Sequence, residues 1–141
     1  MLSGIKHAHS GLRWIVLILL ILAIANAFIG WRNKKSYTDK NKKIHLFAMI
    51  FVHIQILIGL IALFLNWGSK VTLSMSNFYM REHIPLMLIS MVLMTIGFSK
   101  SKKISEDPIR FKTIFIYYTI ALVLILASIP WPFRGLGNGW F

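Results

Sequence analysis

The sequence predicts an all-α integral membrane protein, a four-helix up-and-down transmembrane bundle, and three observations carry that prediction. Hydrophobic residues make up 57% of the 141-residue chain, above the roughly 45–50% usual for soluble domains. They gather into four successive runs, each bounded by polar turns. The 16 Lys and Arg, set against 4 Asp and Glu, punctuate those runs and gather toward their ends.

The first span covers about residues 10–31, and its centre, 15–29, is broken only by Asn26. That is enough to cross a hydrocarbon core of about 30 Å. The flank ahead of it lacks a small-residue cleavage site and the run is longer than a signal h-region, so the segment is expected to be retained. The second span, about residues 44–67, has His45, His53 and Gln55 as its polar interruptions, and residues 68–70 end it. The third, about residues 82–99, opens at Glu82 and His83 with Pro85 in its first turn, where a proline is tolerated, and continues through a Met-rich stretch. The fourth, about residues 109–129, follows Asp107 and Pro108 as N-cap and first helical residue, and Pro130 stops it. Residues 130–141, rich in Pro, Gly and aromatic rings, are expected as a non-helical interfacial tail that lies in the outer interface or folds over the bundle mouth, with a contact to a membrane partner as the alternative. No internal repeat interrupts this order, so residues 1–141 form one transmembrane domain.

The loops orient the bundle. Arg32, Lys34, Lys35, Lys40, Lys42 and Lys43 lie between spans one and two, and Lys100, Lys102, Lys103, Arg110 and Lys112 between three and four. Positive loops belong in the cytoplasm, which puts both termini on the periplasmic side of a bacterial inner membrane. Lys6, Lys70, Arg81, Glu82 and Arg134 fall on that opposite side. The formal charge of +12 is thus a topology signal, with membrane lipids rather than nucleic acid as the expected partner. Trp14, Trp31, Trp67, Trp131 and Trp140 all fall near span ends, as an aromatic belt requires. Ala23, Ala27 and Gly30 give a small-residue spacing for close helix approach.

With no cysteine in the chain, disulfides, thiolate zinc, Fe–S clusters and a cysteine nucleophile are excluded, and histidine is left as the nitrogen ligand. His9 opens span one and His83 opens span three, at matching depth on one side of the membrane. Helices one and three of a simple bundle are diagonal, so the two imidazoles are candidate metal ligands and candidate axial ligands of one b-type haem. Ordinary interfacial histidines are the plain alternative. Arg13, four residues after His9, wants an anion at the hydrocarbon edge, either a haem propionate or a lipid phosphate; Arg81 and Arg134 are further candidates. Glu82 is a candidate orienter of His9 or His83, or a local partner of Arg81. His53 lies near the middle of span two. It reads as one ligand of a His/Met pair with Met87, Met91 or Met94, as a proton or quinone contact beside Gln55, or as a polar residue bonded across the bundle. His45 is expected at the cytoplasmic boundary, and His7 in the N-terminal flank. The methionines are otherwise core filling.

The segments His9-Ser10-Gly11-Leu12-Arg13-Trp14 and Ile129-Pro130-Trp131-Pro132-Phe133-Arg134-Gly135 resemble small four-span membrane proteins of Bacteroidota labelled cytochrome b. That resemblance covers essentially the whole chain and implies an inner-membrane protein carrying b haem. The chain more loosely resembles the four-span protoporphyrinogen oxidase and copper-resistance membrane superfamily, whose first-helix histidine is paired with a third-helix lysine. Here the third span offers His83 and no midspan lysine.

The leading expectation is therefore haem-mediated electron transfer in the membrane, coupled to a quinol or a respiratory partner. A haem or porphyrin oxidoreductase and a noncatalytic small subunit of a larger membrane complex are the alternatives, so no enzymatic reaction is assigned. Phosphate loops, dinucleotide-binding glycines and metalloprotease motifs are missing from the sequence. The four acids form no paired-carboxylate arrangement, and the spans carry no acidic centre of the kind an ion transporter uses.

Overall fold

The computed structural model describes residues 2–67, 78–136 and 139–140. Its long helices are α1 (Leu2–Arg32), α2 (Asp39–Leu65), α3 (Ile84–Lys102) and α4 (Asp107–Ser128). A π-helical turn, Tyr79–His83, leads into α3, and a single 3₁₀ turn, Pro132–Arg134, follows α4. Among the described residues there is no strand. The expected stop at residues 68–70, with Lys70, lies outside the described residues, as do Met1, Gly137, Asn138 and Phe141.

Helix α1 starts well ahead of the expected span, because its first turns hold Gly4 but no proline to break them. It ends in a Schellman arrangement. Lys35 N donates to Gly30 O and Lys34 N to Trp31 O, with Lys34 at φ 50°, a left-handed conformation that glycine adopts more cheaply. Thr38 caps α2, its backbone N–H donating to Asn41 Oδ1 at 2.9 Å. Asn41 Nδ2 in turn donates to Asn26 Oδ1 at 3.0 Å, so the single polar break in the first apolar run is a tie between α1 and α2.

Pro85 explains the wide turn before α3. Its ring has no N–H and would collide with the carbonyl four residues back. The chain opens there, and Ile84 N–H reaches five residues back to Tyr79 O. At α4 the N-cap is Glu106, one residue earlier than expected, with Asp107 as the first helical residue. Its C-terminus stops at Pro130, where Trp131 Nε1 donates to Leu126 O, and Arg134 Nη1 to Ala127 O and Ile129 O. These bonds satisfy carbonyls that a helix end leaves open.

Helices α1 and α2, α1 and α4, and α3 and α4 pack extensively, while α2 and α3 touch more lightly. The cyclic order α1–α2–α3–α4 therefore places α1 and α3 on a diagonal. Each helix buries one stripe: Val16, Leu20, Ala23, Ala27 and Gly30 on α1, and His45, Ala48, Val52, Gln55 and Ile56 on α2. Ser90, Met94, Gly97 and Phe98 of α3 meet Phe111, Ile114, Tyr118, Ala121 and Ile125 of α4. Gly30 and Gly97 mark the closest approaches. A Cβ on Gly30 would fall on the Phe111 ring, and one on Gly97 on Tyr117.

Only 22–33% of each apolar window is buried. Ile18, Ile21, Leu22, Leu57, Val92 and Val123 point outward. A girdle of that extent is stable against lipid rather than water. The chain is a multi-pass membrane protein with four helices long and apolar enough to span. Its loop cations define a basic end, and the start of α1 and Trp140 lie at the other, terminal end.

Candidate cofactor site

The π-helical turn and the first turns of α1 bring His83 and His9 together across the bundle diagonal at the terminal end. Their ring centroids are 6.3 Å apart and the planes stand at 78°. A metal–imidazole bond is about 2.0–2.1 Å, so adding the two ring radii puts imidazoles on opposite sides of one metal about 6 Å apart, centre to centre. The pair has that spacing.

The His83 ring is held by a backbone carbonyl, and the His9 ring by packing. His83 Nδ1 lies 2.8 Å from Ser128 O. A carbonyl only accepts, so the proton sits on Nδ1 and Nε2 carries the lone pair of the neutral ring, the tautomer a metal ligand needs. His9 lies against Gly59 of α2, where an added Cβ would stand 2.9 Å from His9 Cε1. One turn away, buried Gln55 donates from Nε2 to His9 O at 2.8 Å, joining α2 to the helix that carries the ring. His9 Nδ1, Gln55 Oε1 and Arg13 Nε are buried without a hydrogen-bond partner among the described residues. An orphaned imidazole nitrogen thus lies about one helical turn from an orphaned acceptor and an orphaned guanidinium N–H. The donor set fits a single metal held by two imidazoles, with a cation nearby for an anionic substituent. Among the described residues, no group of three or more His, Asp or Glu side chains converges on a metal position.

The arginines divide. Arg13 Nη2 donates to Trp140 O, which also accepts from Trp14 Nε1. The Arg13 guanidinium lies 5.4 Å from the Trp14 ring and 5.8 Å from Trp131. Together with the contact of Trp14 with Trp131 at 6.1 Å, this makes the tail an aromatic strap over the mouth of the bundle. Arg134 comes to the same end but is engaged with the α4 carbonyls and with Glu82, 3.2 Å away. Glu82 therefore pairs with Arg134, neither orienting an imidazole nor pairing with Arg81 as the sequence reading had it. The reason is local: the 3₁₀ turn caps α4 and carries Arg134 back over the π-helical turn. Arg81 is exposed.

His53 stands apart from this site. Its Nδ1–H donates to Met49 O at 2.7 Å and its Nε2 faces Thr95 Oγ1 at 3.3 Å. The Thr95 hydroxyl donates to Met91 O, so His53 is a polar residue packed against α3 with its Nε2 beside that oxygen. Met87 and Met94 are buried in the core.

His45 corrects the expectation of a boundary residue, for it is fully buried. Tyr37 folds in from the loop to place its hydroxyl 2.8 Å from His45 Nδ1, and Tyr118 donates to His45 O at 2.7 Å. Arg110 lies 3.9 Å from the centre of the Tyr37 ring. Burial pushes the Tyr37 phenol up to about 12, against the pull of Arg110 and a Ser101 hydrogen bond. The available signal was the spacing 45, 48, 52, 55, 56, which puts His45 on the same stripe as Gln55. Gly59 and Ser128, which position the candidate pair, carry no chemical signature in the sequence.

The fold and this site define a small all-α multi-span membrane bundle with a half-buried histidine pair at its terminal end. No protein-family model matches the chain, and no curated protein or solved structure matches it.

Proposed function

We propose that this chain is a b-haem-binding electron-transfer protein of the membrane, in which His9 and His83 would hold the haem iron. The observation that supports the reading is the 6.3 Å spacing of two imidazoles from diagonal helices, one of them tautomerically fixed through Ser128. A haem supplies reversible one-electron chemistry when bound. The chain's own residues do the rest. Gly59 leaves room for the His9 ring, Gln55 fixes the backbone beneath it, and Arg13 presents an unpartnered buried Nε–H to an anionic group. The Trp14–Trp131–Trp140 strap limits water at the mouth.

The same reading puts the basic loops in the cytoplasm of a bacterial inner membrane and both termini in the periplasm. It agrees with the resemblance to small four-span cytochrome b-labelled proteins. A quinol or a larger membrane complex is the expected redox partner.

The test is an oxidised-minus-reduced optical spectrum and a pyridine haemochrome assay on gently purified protein. A stoichiometric b-type spectrum that is lost in His9→Ala and in His83→Ala is the expected result. A folded protein free of haem, or a spectrum indifferent to both substitutions, overturns the assignment. The haem-free protein in a stable complex would instead be a structural subunit.

A further inference from the structure

The basic end carries an aromatic and cationic surface patch that the histidine site does not use. On α1, Phe28, Trp31 and Arg32 follow one another at positions i, i+3 and i+4; on α4, Lys112, Phe115 and Ile116 do the same. Residues at those spacings share a helix face. Helices α1 and α4 pack together and run antiparallel, so the two stripes lie side by side with their cations at the rim and their rings one turn deeper.

Ring contacts close the floor: Phe28 to Phe115 at 5.4 Å, Trp31 to Phe115 at 5.7 Å and Phe28 to Trp31 at 6.3 Å. Two cations from different helices approach the same indole, Arg32 Cζ at 5.9 Å and Lys112 Nζ at 5.6 Å from the Trp31 centroid. Neither has an ion-pair partner among the described residues, and Asp39, Glu106 and Asp107, the acids of this end, pair with nothing there. Other cations of this end are engaged differently, Arg110 over Tyr37 and Lys100 with Tyr117. Outward from the rings, Phe28, Ile116 and Ile120 remain exposed at 44%, 42% and 46%, a continuous apolar path toward the middle of the span.

We propose that this α1/α4 surface patch binds the headgroup of an anionic phospholipid, with Arg32 and Lys112 on the phosphate and Phe28, Trp31 and Phe115 under the glycerol and upper acyl chain. Both cations stand beside one indole without an ion-pair partner among the described residues, which leaves their charge to an anion at the interface. Free phosphate would satisfy the charges and leave the aromatic floor and the apolar path unused. A lipid matches both parts, since its charge lies at the interface and its chain runs along the helices.

The test uses the full chain, delipidated in a zwitterionic detergent, with native mass spectrometry against phosphatidylglycerol and phosphatidylcholine. One retained phosphatidylglycerol and an at least tenfold preference over phosphatidylcholine are expected, on the order of the gain from two interfacial cations. The double variant R32Q/K112Q should lose about tenfold in affinity, whereas K42Q/K43Q, which removes the same charge from exposed positions on α2, should stay within about twofold; R32K/K112R should retain binding. Circular dichroism confirms that each variant is helical, and K112Q alone replaces the double variant if that fails to fold. Equal losses in the two double variants, absence of headgroup preference, or displacement of the lipid by millimolar inorganic phosphate would each overturn the assignment.

Discussion

Substituting Gly59 by alanine separates the histidine site from the stability of the bundle. Ala is favoured over Gly in a helix interior by about 0.8–1.0 kcal/mol, so α2 itself should gain. The added Cβ, however, would stand 2.9 Å from His9 Cε1 and 3.3 Å from Nδ1. Carbon contacts settle at about 3.5–4.0 Å, so the ring must retreat by roughly 0.6–1.1 Å. Metal–ligand distances tolerate about 0.2 Å, and a working site about 0.5 Å. The imidazole is the end of a side chain and can move, so the substitution should not unfold the protein. Gly59→Ala should therefore keep or raise the thermal midpoint in detergent while lowering haem content and altering the b-type spectrum. In haem-free protein the same retreat appears as a shift of the His9 ring resonances. Gly97→Ala is the contrast. Its Cβ meets Tyr117 near the backbone, so α3 and α4 must separate at a cost of about 1–3 kcal/mol, with His9 untouched. Wild-type haem content and His9 resonances in Gly59→Ala would refute the spatial argument.

Three other outcomes follow from the same geometry. Lys34→Gly should stabilise the protein by about 1 kcal/mol, because a left-handed residue with a Cβ costs roughly 1–2 kcal/mol; an unchanged or lowered thermal midpoint counts against it. Gln55→Leu removes a hydrogen bond worth about 1 kcal/mol and an unpartnered buried acceptor costing about 1–3 kcal/mol. Stability should hold or rise while the reduction potential moves, and an unmoved potential would show that Gln55 has no part in positioning His9. Tyr37 should make stability alkali-sensitive: its folded pKa of about 12 exceeds the unfolded value of about 10. The fold holds the protonated phenol, so this contribution is intact below pH 10 and lost as the pH climbs to about 12. Thermal midpoints of wild type should fall more steeply than those of Tyr37→Phe across that window, and parallel slopes would sink the idea.

The four helices were legible because hydropathy and loop charge are local properties of the chain, and the depth match of His9 with His83 follows from counting residues from span ends. What escaped depends on three-dimensional packing. His45 looked interfacial beside Lys43 because the sequence does not show Tyr37 folding back from the loop to cover it. Arg134 and Glu82 were assigned separate roles because they are 52 positions apart and meet only when the tail turns back over α4. The π-helical turn has a local cause in Pro85, but a proline in a first turn is usually accommodated without it. His53 sits one residue after Val52 and hence about 100° around the helix from it, off the buried stripe, which accounts for its half-buried position against Thr95.

The position of the pair also constrains how electrons move under the proposed reading. His9 lies level with Gly59, and His45 is fourteen residues away along α2, about 21 Å at 1.5 Å per residue. His45 has Tyr37 on its Nδ1 and no second imidazole among its ring contacts. A single site at the terminal end therefore exchanges electrons on that side, and crossing the membrane requires a redox partner. In proteoliposomes of mixed orientation, a membrane-impermeant reductant should promptly reduce only haem in molecules whose termini face outward, the rest following after detergent is added. Protease accessibility of the terminal segment gives the outward fraction independently. Prompt reduction of the whole population would mean that electrons reach the haem from the basic end as well, and the one-sided site would have to be abandoned.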